Sequence, residues 1–368
     1  MNILRIARKL PPCPGGQEHH VVDLSLYQVT TGDSVEVSFG LGDYLKSDSR
    51  VKCRRVVSTR VLQFFKRDVL QAFVFGFFVL LKHYNKPADK IDIVHVHGDV
   101  IEILFSAAIS WKHKVPLVAT FHAGVSSRLW YKIVASKVLR LPDAIICVSD
   151  DIKNQLKIIS PSAVNAAVIH SGIYYSRFSC REDFSCSGSM DIVSVGRLHP
   201  MKGFEYLVQA VADESIKDSV KLTIVGDGPE RLKLEKLAIK NNVDINFAGY
   251  CTKEKIAKIL CESQLFVSSS VQLKEQTEGT PTVVMEAMAA GLPVIVTDVG
   301  GAKALVRDGE NGFVIPQADM GMIVECIKKL LDKSELLDEF SKRNASVADR
   351  FDWVVIGGRV NEVYRSLR

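Results

Sequence analysis

The sequence predicts an α/β fold of two Rossmann-like, doubly wound domains facing a central cleft, and three observations predict it. Short β-branched runs alternate with longer helix-like stretches along the whole 368-residue chain, the mark of βαβ units and parallel sheets. Runs such as IDIVHV and DAIICV are apolar without alternation, as strands covered on both faces are. The regular pattern breaks once, in the Ser- and Cys-rich, charged stretch Tyr174–Ser189, and the chain length suits two domains of roughly 100–200 residues each.

Taken in order, the strands expected in the first half are Ile3–Ala7, Val35–Phe39, Ile91–His97, Pro116–Phe121, Ala144–Ser149 and Ala167–His170. Those of the second half are Ile192–Gly196, Lys221–Gly226, Ile245–Phe247, Leu265–Ser268, Pro293–Thr297 and Phe313–Ile315. The layout is a first domain over 1–175, a linker over 176–189, a second domain over 190–350 and a last helix within 351–368. In open parallel sheets ligands bind outside the carboxyl ends of the strands, so the inter-domain cleft is the expected active site.

Composition excludes several classes. With 47% hydrophobic and 24% charged residues, the chain lacks the signature of disorder. Gly (24) and Pro (12) follow no fixed period, which excludes a repeat architecture. Lys plus Arg exceeds Asp plus Glu by 47 to 42, too mild for a nucleic-acid groove but suited to an anionic small molecule or membrane surface. Eight cysteines without a CxxC pair argue against a zinc site or disulfide scaffold and for reduced thiols in a cytosolic enzyme. The start, MNILRIARKLPPCPGG, lacks a secretory core.

Residues 61–81 hold six of the seventeen Phe, and their charge-free part, Val69–Leu81, is 13 residues long, short of the roughly 20 that span a bilayer. Two readings stand: a buried helix, or a helix dipping into one leaflet with Lys66, Arg67 and Lys82 near the headgroups.

The strongest chemical signal is EGTPTVVMEAMAAGLP over 278–293. Thr280 and Pro281 read as N-cap and first helical residue, and Gly291 with Pro293 as the helix stop. Glu278 then precedes the helix and Glu286 lies more than one turn inside it. The amides of Gly279, Thr280 and Thr282 around Pro281 offer an N–H cradle, and a carboxylate such as Glu286 accepts the two hydroxyls of a sugar diol. The structural alternative for Glu286 is a solvated helix residue.

In VGRLHPMKG, directly after a strand, Arg197 and Lys202 offer a fork and a point charge for a diphosphate without a metal; the alternative is two solvated cations on a turn. No DxD sequence, the usual pair of carboxylates for a phosphate-bound divalent ion, is present. GDGPE at 226–230 is a tight turn but no dinucleotide fingerprint. Near the start, Gly15 and Gly16 follow the first strand and allow close backbone approach. His95, His97 and His122 end two strands. They suit main-chain hydrogen bonds, a cleft-facing role for His122, or, lacking a third ligand nearby, a weaker case for metal.

In this order the motifs resemble the retaining glycosyltransferases of family 4, which have the GT-B fold: PGGQE, IVHVHG, TFHAG, CVSD, VGRLHPMKG, IVGDGPE, FAGY and EGTPTVVMEAMAAGLPVIVTDVGG. The resemblance implies that Arg197 and Lys202 bind the donor diphosphate and that Glu286 holds the donor ribose. It implies that Glu278 lies at the donor sugar beside the amides of Gly279–Thr282. His122 would meet the transferred sugar, Gly15 and Gly16 the phosphates, and the final helix would cross back onto the first domain. Two positions depart from the family: Ala304 stands where a glutamate is usual, and Ser171-Gly172 replaces an Asn-Gly turn.

The expectation is transfer of a sugar from a nucleotide-diphospho-sugar to a lipid-linked saccharide acceptor with the anomeric configuration retained, as in building bacterial surface polysaccharide. No metal or other cofactor and no nucleic acid is expected to take part. The place expected is the cytoplasm, peripherally on the inner face of the membrane. A non-catalytic nucleotide-sugar-binding partner of another transferase, motivated by Ala304, and a nucleotide-sugar 2-epimerase on the same fold are the rivals.

Overall fold

Every strand expected from the sequence forms, in two wholly parallel sheets. The computed structural model describes residues 1–13, 15–42, 50–85, 91–124, 129–179, 189–273 and 279–368. The first sheet comprises β1 (Asn2–Ala7), β2 (Ser34–Phe39), β3 (Lys52–Arg55), β4 (Ile93–His97), β5 (Leu117–Phe121), β6 (Ala144–Cys147) and β7 (Ala167–Val168), in the order β3-β2-β1-β4-β5-β6-β7. The second comprises β8 (Met190–Val195), β9 (Val220–Val225), β10 (Ile245–Gly249), β11 (Leu265–Ser268), β12 (Val294–Thr297) and β13 (Gly312–Ile315), in the order β10-β9-β8-β11-β12-β13. β4 and β5 are buried at every position, which is why their sequences do not alternate. The added strand is β3: KCRR lies at the sheet edge with Lys52, Arg54 and Arg55 exposed, so no apolar run announces it.

Each sheet belongs to its own unit: Met1–Gly172 with Trp353–Arg368, and Ile173–Asp352. The division falls at Gly172 because the next residue already belongs to the second core, where Ile173 and Phe178 are buried and the Ile173 amide donates to the Phe351 carbonyl at 2.9 Å. Most of the Ser- and Cys-rich stretch, 180–188, lies outside the described residues.

The last helix, Trp353–Ser366, packs on the first unit. Gly357 makes this possible, because a Cβ there would fall 2.1 Å from the Tyr27 ring. Beneath it the wholly buried Arg5 donates to Ser25, Gln28 and the Tyr364 hydroxyl, and Gln28 donates to Asn361 at 2.7 Å. Burial lowers the Arg5 pKa, and the three side chains that accept from it offset part of the cost of taking its charge out of water.

The stretch 61–81 forms two helices, Thr59–Phe64 and Asp68–His83, which corrects the reading of it as one buried helix. Ala72, Phe75 and Val79 face the core, whereas Phe64, Phe73, Phe77, Phe78 and Leu81 are exposed. The second helix packs on Val100–His113, where Gly76 admits the Phe105 ring, and that neighbour adds exposed Leu104 and Trp111. Among the described residues no helix is long and apolar enough to cross a membrane.

Of the described cysteines, Cys13, Cys53, Cys147, Cys251 and Cys326 are free, but Cys261 is disulfide-bonded. The expectation of reduced thiols throughout is corrected there. The Cys261 sulfur also lies 3.9 Å from the carbonyl of Phe178, 83 residues earlier, a contact that sequence spacing does not reveal.

Candidate functional site

In the second unit the singled-out residues stand at the carboxyl ends of β8 and β11, which are neighbouring strands. The chain leaves β8 into a tight loop in which Arg197 is exposed and Lys202 half-buried, its stem laid over Gly196. Gly203 closes the loop at φ 59, and a Cβ there would sit 2.0 Å from the Ser269 carbonyl. The loop is pinned from both sides: the Leu198 amide donates to Asp227 at 3.0 Å, the Val271 amide to Met201 at 2.8 Å, and the Ser269 hydroxyl to the Lys202 carbonyl at 3.1 Å. GDGPE thus serves as a brace for the Arg197 loop.

The helix after β11 runs Thr282–Ala289. It begins one residue later than the sequence suggested: Pro281, with ψ at 106°, is extended and occupies the cap position, so its carbonyl rather than its ring enters the first turn. At the other end Gly291 takes φ 72. The Leu292 amide reaches Ala287 and the Gly291 amide reaches Met288, both within 3.0 Å, a Schellman closure. Thr280 is buried, and the Gly279 carbonyl accepts from the Gly301 amide at 3.1 Å. Glu278 lies outside the described residues.

Glu286 is 3% exposed and is no solvated helix residue. Its Oε1 accepts from Lys253 at the start of the helix Lys253–Glu262, while its Oε2 is buried with no hydrogen-bond partner. Lys253 was not legible in the sequence, since nothing in TKEKIAKIL marks one lysine above another.

In the first unit Gly15 caps the helix Gly16–Thr30 without a side-chain bond, and the Glu18 carboxylate folds back over it. His97 closes β4 and His122 follows β5. Their rings stack at 5.3 Å with a 3.0 Å hydrogen bond between His97 Nδ1 and His122 Nε2. His20, one turn into the helix, completes the group 4.6 Å from the His122 ring, and its Nδ1 is hydrogen-bonded to Ser171 at 3.1 Å. The departure at 171 therefore has a use. His95 shares the face of His97 as the strand period requires, but side chains satisfy it: the Tyr364 hydroxyl and Thr120, at 2.5 and 2.7 Å.

Burial holds these imidazoles neutral: His122 is pushed down to about 3, and His20, His95 and His97 lie well below the usual range. One nitrogen from each of His20, His97 and His122 lies within 4.8 Å of the others, the described group that could hold a metal ion. Two of their nitrogens are already joined to each other and a third to Ser171, so the trio reads more simply as a hydrogen-bonded cluster. His20 was missed in the sequence because it is remote in sequence from the strand histidines.

Against His97 and His122 lies a cavity of about 240 Å³, walled further by Arg8, Gln17, Glu18 and Asp99. Arg8 pairs with buried Glu102 at 3.3 Å, and Glu102 in turn accepts from the Asp99 amide. Burial raises the pKa of both Glu18 and Glu102, with Arg8 and Lys9 opposing. Asp99 caps the next helix and accepts from Tyr131. The DVIE capping box at 99–102 was the overlooked signal here.

Residues 14–177 match the family described as Glycosyltransferase Family 4, and residues 184–347 the family described as Glycosyl transferases group 1. The chain is 28% identical over 289 residues to an uncharacterized glycosyltransferase of Methanocaldococcus jannaschii, covering 76% of this chain and 77% of that protein. It is 22% identical over 386 residues to the GPI3 subunit of phosphatidylinositol N-acetylglucosaminyltransferase from Saccharomyces cerevisiae, covering 100% and 83%. Among solved structures, Anabaena HepE in complex with UDP and glucose superposes with a TM-score of 0.81 at 19% identity over 99% of both chains. WaaG, a glycosyltransferase involved in lipopolysaccharide biosynthesis, does so with a TM-score of 0.75 at 18% identity over 98% and 99%.

Proposed function

The chain belongs to the glycosyltransferases, with a family 4 first half and a group 1 second half on the GT-B fold, and from that premise we propose that it transfers a sugar from a nucleotide-diphospho-sugar to an acceptor hydroxyl with retention of anomeric configuration. The observation that carries the donor assignment is Glu286, whose buried Oε2 has no partner of its own. A ribose hydroxyl supplies one, and Lys253 holds the carboxylate in place for it.

The remaining roles follow from charge and place. Arg197 and Lys202, with the amides of Gly279, Thr280 and Thr282 flanking Pro281, take the diphosphate, on which negative charge grows as the glycosidic bond breaks. The family resemblance assigns Glu278 and His122 to the transferred sugar and the Gly15–Gly16 backbone to the phosphates. His122 is neutral, so it directs a sugar hydroxyl rather than pairing with charge. The departing phosphate takes the acceptor proton on the face it leaves, and no step calls for a metal.

The acceptor is a lipid-linked saccharide of bacterial surface polysaccharide, met at the inner face of the membrane. Exposed Phe64, Phe73, Phe77, Leu81, Leu104 and Trp111 support this, together with the exposed Lys66, Arg67, Lys82 and Lys112 of the same segments, a combination that suits an anionic bilayer surface. The test is thermal unfolding with UDP, GDP, ADP, dTDP and CMP, followed by turnover of the matching sugar nucleotide on a lipid-linked acceptor. One nucleotide should stabilise the protein. Stabilisation without turnover on any acceptor would favour a non-catalytic binding partner instead.

A further inference from the structure

The cavity beside His97 and His122 is unbalanced in charge. Four carboxylates line it, Glu18, Asp68, Asp99 and Glu102, against two cations, Arg8 and Lys9. Both cations are occupied: Arg8 pairs with Glu102 at 3.3 Å and Asp68 at 3.7 Å, and Lys9 with Asp68 at 4.0 Å. Among the described residues no ion pair reaches Glu18 or Asp99. Glu18 is 8% exposed, and burial raises its pKa against the opposing charges of Lys9 and Arg8, neither of which forms an ion pair with it.

The other polar groups on the wall are uncharged. His97 and His122 are neutral imidazoles, and the Nε2 of His97 is fully buried without a partner. Gln17 donates to the His97 carbonyl at 3.0 Å, which leaves its amide oxygen to accept. At about 240 Å³ the cavity is below the roughly 300–1,000 Å³ that takes a drug-sized ligand, which is room for a single sugar ring. Acceptors of hydrogen bonds dominate, and an entering anion finds no unpaired cation.

We infer that this cavity is a monosaccharide subsite selective by charge: it takes a neutral, hydroxyl-rich or amino-bearing ring and disfavours one that carries a carboxylate, with Glu18 as the residue that sets the preference. This deepens the transferase reading and rests on it.

Saturation-transfer NMR on the full chain tests this with three probes: methyl α-D-glucopyranoside, its 2-amino-2-deoxy analogue, and methyl α-D-glucopyranosiduronate. The neutral and amino glycosides should bind, and the uronate at least about tenfold more weakly. Glu18→Gln, which keeps the shape and removes the charge, should bring the uronate within about threefold of the neutral ring. Ala123→Trp, which fills the mouth from an exposed wall position, should abolish all three signals. The inference is overturned if the uronate binds wild type as well as the neutral ring does, if Ala123→Trp leaves the signals intact, or if no glycoside binds. The donor reading fails separately, by loss of nucleotide stabilisation at Glu286 in the other unit.

Discussion

Lys253 holds one oxygen of Glu286 and leaves the other buried and unpartnered. A carboxylate kept half-satisfied in this way costs stability unless a ligand completes it. A nucleoside diphosphate at a hundred times its dissociation constant should stabilise wild type by about 2.7 kcal/mol. In Glu286→Ala the calorimetric shift should vanish at the same concentration, while the unliganded protein still unfolds cooperatively.

Arg197 is exposed and Lys202 half-buried at the loop after β8. Removing either should change stability by no more than about 0.5 kcal/mol yet lower kcat by about a hundred- to thousandfold. Unfolding midpoints measured beside steady-state rates separate the two effects. A variant that loses rate only in proportion to lost folded protein would remove that residue from the diphosphate site.

His20, His95, His97 and His122 have pKa values below those of free imidazoles. The unfolded chain therefore binds more protons than the folded one below about pH 6.5, and stability must fall as pH falls. Each such residue contributes a slope of up to about 1.4 kcal/mol per pH unit. The raised carboxyls of Glu18 and Glu102 act in the opposite sense, with two groups against four. Urea midpoints from pH 7.5 to 5 should decline, and His122→Gln should flatten that decline.

Chelation separates a reaction driven by cations of the chain from one driven by a bound ion. With EDTA in excess the turnover rate should stay within about twofold of the untreated enzyme, where a metal-dependent transferase would lose nearly all activity.

The two-helix apolar surface gives the fifth measurement its handle, because Trp111 is 80% exposed while Trp353 is buried. Vesicles carrying an anionic brominated phospholipid should quench the Trp111 signal, and Trp111→Phe should remove that change. Phe73→Asp with Leu104→Asp should weaken binding at least about tenfold, since each large apolar side chain withdrawn from lipid forfeits about 1.5–3 kcal/mol. Equal quenching in the double variant would place the membrane contact elsewhere.

The architecture was legible because buried parallel strands write runs that are apolar without alternation, such as AIIC in β6 and VIV in β12. β3 was not, since KCRR at an exposed edge has no reason to be apolar. The donor-side loops were legible because Gly203, Pro281 and Gly291 mark sharp turns whatever the fold. The partners assembled by distance were not: Lys253 reaches Glu286 across 33 residues, and Tyr364 reaches Arg5 across 359. Spacing arguments see a helix turn or a strand step, and these contacts are neither.

The first unit is closed by the far end of the chain, with Tyr364 and Asn361 completing the polar cluster around Arg5 and Gln28. During synthesis β1 must therefore wait for Trp353–Ser366, which follows the whole second unit in the chain. Until Trp353–Ser366 leaves the ribosome, the guanidinium of Arg5 and the ring of His95 lack their tyrosine. The second unit, continuous from Ile173 to Asp352, has all its own sequence in hand earlier. Maturation thus runs against the usual order in which N-terminal domains finish first, and loss of Tyr364 would be felt at Arg5 in β1.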